Sequence, residues 1–145
     1  MSITKIFKFL AITISILAGQ GSTLEAKISS PHADIGNSHA KNGNYSTALE
    51  SLNSAIKAAP ANARAYKLRG HVYYAMGDYS KALTDLDQVV ALVPDSANAL
   101  ADRAIVYSVM GKHGLALADI ERALALKPSS SFAQAVRKEI LERAK

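Results

Sequence analysis

Residues 63–95 read Ala-Arg-Ala-Tyr-Lys-Leu-Arg-Gly-His-Val-Tyr-Tyr-Ala-Met-Gly-Asp-Tyr-Ser-Lys-Ala-Leu-Thr-Asp-Leu-Asp-Gln-Val-Val-Ala-Leu-Val-Pro-Asp, from Ala63 to Asp95. Two helical patterns lie in this stretch, split at Gly77-Asp78 and closed by Pro94. Glycine at the break can take the left-handed conformation that ends a helix, and proline cannot continue one. The same punctuation returns on both sides. Gly43, Gly77 and Gly111 are 34 residues apart, as are Pro60, Pro94 and Pro128, and as are Ala48, Ala82 and Ala116. Three separate registers with one period define a stacked repeat, and 34 residues fit one helix-turn-helix unit.

The signature Tyr66, Gly70, Tyr73, Gly77, Asp78-Tyr79, Ala82, Leu86, Val89 and Pro94 resembles the tetratricopeptide repeat. The resemblance runs from about Ser29 to Pro128, with one further helix after it. It implies an all-α fold, a right-handed superhelical stack of three helical hairpins plus a C-terminal capping helix. The hairpins are expected at 29–60, where the pattern is degenerate, at 63–94 and at 97–128; the cap is expected in 129–145.

Composition agrees. Hydrophobic residues make up 49% of the 145 residues, but aromatics only 6%, with no Trp. Abundant Ala suits closely packed helices and argues against one large core. Without Cys there is no disulfide framework and no thiolate site. The net charge of +5 is mild, and the signs alternate, as in Asp119-Ile120-Glu121-Arg122 and Arg137-Lys138-Glu139. A nucleic-acid binder would gather its basic residues into one stripe, so no nucleic-acid partner is expected.

Residues 1–26 do not fit the repeat. Lys5 and Lys8 precede an apolar run from Phe9 to Ala18, followed by small and polar residues, the layout of a secretory signal peptide. The run is shorter than the roughly 20 residues of a membrane span. The expectation is export to a periplasm or out of the cell, with an uncleaved anchor to the inner membrane through residues 1–20 as the alternative. A membrane is expected to be met only through this segment.

In the first repeat, Ser30-Pro31 is a good helix start, and Asn44 after Gly43 can cap the second helix. Asn44-Tyr45-Ser46 has the form of a glycosylation sequon but is read as a cap followed by serine. His39 stands where Tyr73 stands, so a loosely packed first helix is expected. In the second repeat Tyr66, Gly70 and Tyr73 share a face, and Gly70 against Ala82 lets two helices approach. In the third, Ala104 and Tyr107 replace Gly70 and Tyr73. Its turn, Gly111-Lys112-His113-Gly114, lacks the tyrosine of the others and is expected to be looser. Phe132, Val136, Ile140 and Ala144 form the apolar stripe of the final helix, which closes the open end of the stack.

No catalytic, cofactor or metal motif is present, so neither enzyme activity nor a cofactor is expected. Asp85 and Asp87, two apart on a helix, diverge and read as solvated surface. The resemblance implies instead that the first helix of each repeat lines a concave side that takes ligands. Those positions are Asp34, Asn37 and Lys41 in the first repeat, Arg64, Lys67, His71 and Tyr74 in the second, and Asn98, Asp102 and Ile105 in the third. The second set follows a 3-4-3 spacing and forms one stripe, separate from the packing stripe. It offers a basic and aromatic wall to an acidic or extended peptide; the plainer reading is an ordinary wet helix face.

Some members of the family clamp the C-terminal carboxylate of chaperone tails. Here Asn37 fits that pattern, but the other four places hold Ala33, Leu68, Asn98 and Asp102, so tail capture of that kind is not expected. The function expected is that of a non-catalytic adaptor for a protein or peptide. The alternative is a structural or self-associating part of an envelope complex, a homodimer included.

Overall fold

The computed structural model describes residues 31–144. The signal-peptide reading of residues 1–26 and the Ser30 cap lie outside the described residues. Seven helices follow one another: α1 over 31–41, α2 Tyr45–Ala58, α3 Ala63–Ala75, α4 Tyr79–Leu92, α5 Ala97–Val109, α6 His113–Leu126 and α7 Ser131–Arg143. No strand occurs among the described residues. Within the second and third hairpins α3 packs on α4 and α5 on α6. Between units α2 meets α3, α4 meets α5, and α6 and α5 both meet α7. The hairpins therefore pile up in sequence order.

The helix boundaries have local causes. Gly43, Gly77 and Gly111 have φ of 75°, 78° and 74°. After each, a backbone N–H reaches back to close the helix: Asn44 to the His39 carbonyl at 2.9 Å, Asp78 to Tyr73 at 2.9 Å, Lys112 to Tyr107 at 2.8 Å. This is the six-to-one bond of a Schellman turn. The third turn is thus as tight as the other two, against the looser turn expected. The closing bonds are made by backbone, so losing the tyrosine at His113 does not loosen them. At the other helix ends, Ala59, Val93 and Lys127 leave the helical region with φ of −142°, −135° and −140°. Each precedes a proline, whose ring forbids that residue the helical conformation. Asn62, Ser96 and Ser130 then cap α3, α5 and α7 by accepting from the third N–H of each helix. Asp78 caps α4 in the same way, but Asn44, expected to cap α2, makes no side-chain cap bond.

Small residues decide how closely the helices meet. Ala48, Ala82 and Ala116 are fully buried. A Cβ on Gly70 would lie 3.3 Å from Leu86 Cγ, so α3 rides directly on α4. The first hairpin is closer still: a Cβ on Gly36 would lie 2.6 Å from Leu52 Cγ. Gly36 is in register with Gly70 and Ala104, and the expectation of a loosely packed first helix does not hold at this contact. His39 is not what sets the approach; the glycine is.

On α7 the buried residues are Ala133, Val136 and Ile140, while Phe132 is 43% exposed and Ala144 is exposed. The buried stripe is therefore turned by one residue from the one expected at its first position. Lys138 stands in the register of Gly36, Gly70 and Ala104. Where those admit a second helix, its long charged side chain favours water, which suits α7 to end a stack.

Candidate functional site

Of the residues predicted to face the groove, Asn37, Lys41, Arg64, Lys67, His71 and Asn98 line two clefts. In the first, Asn37 and Lys41 of α1 face Leu68, His71, Val72 and Ala75 of α3, with Tyr45 and Ala40 completing a cleft of about 230 Å³. In the second, Arg64 and Lys67 of α3 face the cap Ser96 and Asn98 at the start of α5, over Val93 with Val89 buried beneath it; its volume is about 290 Å³. Val93 is 40% exposed there, an apolar surface beside two cations. The 3-4-3 stripe does run along α3, but its ends serve different clefts: Arg64 and Lys67 one, His71 the other.

Two of the predicted cations are already engaged. Arg64 Nη2 donates to Asp34 Oδ1 at 2.5 Å. His71 Nε2 lies 3.3 Å from Asp102 Oδ2, an ion pair only when the imidazole is protonated. Both contacts tie neighbouring first helices together across the groove, α1 to α3 and α3 to α5. Tyr74 leaves the wall: half-buried, it packs on the main core and tilts its ring against Tyr79, with centroids 5.5 Å apart. Ile105 lies away from both clefts, in a narrow slot between α5 and α7 with Val109, Val136 and Ile140.

The strongest electrostatics sit elsewhere. Asp85 is 2% exposed and is not solvated surface. Arg69 holds it with two hydrogen bonds, Nε to Oδ2 at 2.8 Å and Nη2 to Oδ1 at 2.7 Å, and reaches Asn53 with Nη1 at 2.7 Å. One repeat on, Arg103 holds buried Asp119 in the same forked way and reaches Asp87 at 2.8 Å. Arg137 continues the series to Glu121 at 2.6 Å. Each of the first two arginines thus binds its own hairpin and the preceding one. Asp85 and Asp87 do diverge, but towards two different arginines. Hydrogen bonding to Asp85 raises Arg69 further above its ordinary range, and Asp119 does the same for Arg103, so both remain cations.

These arginines face away from the clefts, because Arg69 is two residues from both Lys67 and His71 and so about 200° round the helix. Their signal was in the sequence. Arg69, Arg103 and Arg137 are 34 apart, as are Asn53, Asp87 and Glu121, and as are Asp85 and Asp119.

The family model described as tetratricopeptide repeat matches residues 35–101. Over those residues the chain is built of tetratricopeptide repeats. Comparison with curated protein sequences finds no match. Among solved structures it is similar to the second tetratricopeptide domain of human RPAP3, determined with the HSP70 peptide SGPTIEEVD: 28% identity, TM-score 0.73, covering 83% of this chain and 98% of that one. It is also similar to the first such domain of Spaghetti (RPAP3) bound to the HSP90 peptide SRMEEVD, at 24% identity and TM-score 0.75 over 80% of this chain and 92% of that one. The OM64 domain of Arabidopsis matches at 22% identity and TM-score 0.75, over 81% and 98%. At these last identities the likeness is one of fold.

Within the repeat protein's groove, the places of the carboxylate clamp are not cationic. Ala33 is fully buried, Leu68 is half-buried beside Lys41 in the first cleft, and Asp102 faces His71.

Proposed function

We propose that the chain is a non-catalytic adaptor that takes a peptide or protein segment along the inner faces of α1, α3 and α5. The observation that carries this reading is the pair of open clefts, each with a lysine set beside an apolar wall. Packing of the stack does not require either. Apolar contact would supply affinity there, and the charges would fix register and speed encounter. The RPAP3 domain that is 28% identical was solved with a peptide ending in an acidic motif, which favours a peptide with carboxylates as the occupant. The absent clamp cations argue for carboxylates along the segment and not for a grip on its terminus.

The test is capture of the cell's own partner, identified by mass spectrometry, with Arg64→Glu/Lys67→Glu. The double reversal is expected to reduce capture at least tenfold while helicity and melting are retained. Undiminished capture would remove the second cleft from the site. Export to a periplasm or the cell exterior belongs to the same proposal and rests on residues 1–26. The intact mass of the chain recovered from the envelope tests it, since cleavage removes about that segment.

A self-associating role has one observation in its favour: Leu141 is 43% exposed on the outer side of α7, beside Gln134, Arg137, Lys138 and Glu142. Light scattering decides between the two, a dimer broken by Leu141→Glu supporting self-association and a monomer the adaptor.

A further inference from the structure

We infer that the groove's partner is an extended segment with two carboxylates four or five residues apart, each next to an apolar side chain, read by Lys67 and Lys41. This rests on the adaptor reading and narrows it to one class of peptide.

The charge balance inside the groove selects these two lysines. Of the three cations and one histidine that face it, Arg64 is held by Asp34 and His71 lies beside Asp102. Those acids are thereby occupied as well. Lys41 and Lys67 have no carboxylate within ion-pair distance among the described residues. Each also stands beside apolar surface: Lys41 by Leu68 and Tyr45, with Val72 buried behind them, and Lys67 by Val93, with Val89 buried behind it. A carboxylate on the lysine with its neighbouring apolar side chain on the wall satisfies both halves of each cleft. The same argument demotes Arg64, whose charge is already matched.

The spacing follows from the period. Lys41 is in register with Ala75, and Ala75 is eight positions beyond Lys67 on α3. Eight residues of helix rise about 12 Å, and neighbouring packed helices lie about 9 Å apart. The backbone positions of the two lysines are therefore about 15 Å apart on a diagonal from α1 to α3, a span of four to five residues of extended chain at about 3.3 Å each. The clefts open at opposite ends of α3, so only a segment that crosses this helix obliquely meets both.

Fluorescence anisotropy with the full-length chain and labelled decapeptides tests this. The probes carry two glutamate-leucine pairs, with the glutamates two, four, five or eight positions apart. The peptides spaced by four and five are expected to bind about tenfold more tightly than the others, the value of one desolvated charge contact. Lys41→Glu and Lys67→Glu should each remove that advantage, and Lys57→Glu, on the exposed end of α2, should leave it. Circular dichroism of each variant checks that the helices are kept. Equal affinity at every spacing, no binding of any probe, or indifference to both groove lysines would overturn the inference. The adaptor reading is judged separately, by partner capture with Arg64→Glu/Lys67→Glu: capture lost there with no spacing preference here leaves a groove binder of a different segment.

Discussion

The first hairpin and the two that follow it are built on one backbone plan but are fastened differently. In the second and third, an arginine of the first helix forks onto a buried aspartate of its partner, Arg69 on Asp85 and Arg103 on Asp119. In the first, the same registers hold Ile35 and Ser51, and Ile35 is 47% exposed. What the first hairpin has instead is closeness. The space over Gly36 is filled by Leu52 at a distance no Cβ would accept, whereas the space over Gly70 is merely tight. One period therefore fixes where helices meet without fixing what joins them. The joining can be done by a charge fork or by dispersion contact across a glycine.

The largest effect should come from breaking a fork. Asp85→Ala leaves the Arg69 guanidinium, mostly covered, without its main acceptor. It is expected to cost about 2–3 kcal/mol, less than for a fully buried pair because Arg69 keeps some water. Removing both partners, Arg69→Leu with Asp85→Ala, should recover most of that loss. Urea unfolding of the two single variants and the double variant measures it; additive losses would show that the fork is not a unit.

The glycines sharpen the same comparison with a difference of sign. Gly36→Ala must displace Leu52 and is expected to destabilise by about 1–3 kcal/mol. Gly70→Ala meets only ordinary to tight contacts and gains helix propensity, about 1 kcal/mol, so it should be near neutral or stabilising. Ala104, in the same register, already shows that alanine fits there in the third hairpin. Leucine at Gly70, unlike alanine, should lower melting, because its branches reach Leu86 and the α4 backbone. Equal shifts in melting for Gly36→Ala and Gly70→Ala would show that closeness at Gly36 contributes no more to stability than at Gly70.

The smallest difference lies at the start of the second helices. Asp78 accepts from Lys81 N–H at 3.1 Å and from Lys81 Nζ at 2.7 Å. Asn44, in register with it, makes no cap bond. Asn44→Ala should leave melting unchanged, and Asp78→Ala should lower it. The Lys81 side chain holds the Asp78 carboxyl below the ordinary carboxylate range. A depressed folded pKa means the contribution is complete above the unfolded value and is lost as pH falls through the folded one. The gap between Asp78→Ala and the parent should therefore close in acid, below about pH 4, where thermal melts at several pH values would show it.

The tetratricopeptide stack was legible because its determinants are local and periodic. A glycine that must turn left-handed, a proline that stops a helix and an alanine that admits a neighbour each act within one or two residues, and they recur every 34. Register and helical period also say which way a side chain on the first helices faces, but not what it meets: Tyr74 packs on the core and Ile105 lies in the slot between α5 and α7. Pairing was not. Asp85 and Asp87 looked solvated because their partners, Arg69 and Arg103, lie 16 residues away on other helices. Arg64 looked free because Asp34 is 30 residues off. Local chemistry settled where the chain turns and which faces are small; only the packed stack decided which charges meet, because an ion pair depends on the distance between helices that the sequence brings together but does not itself measure.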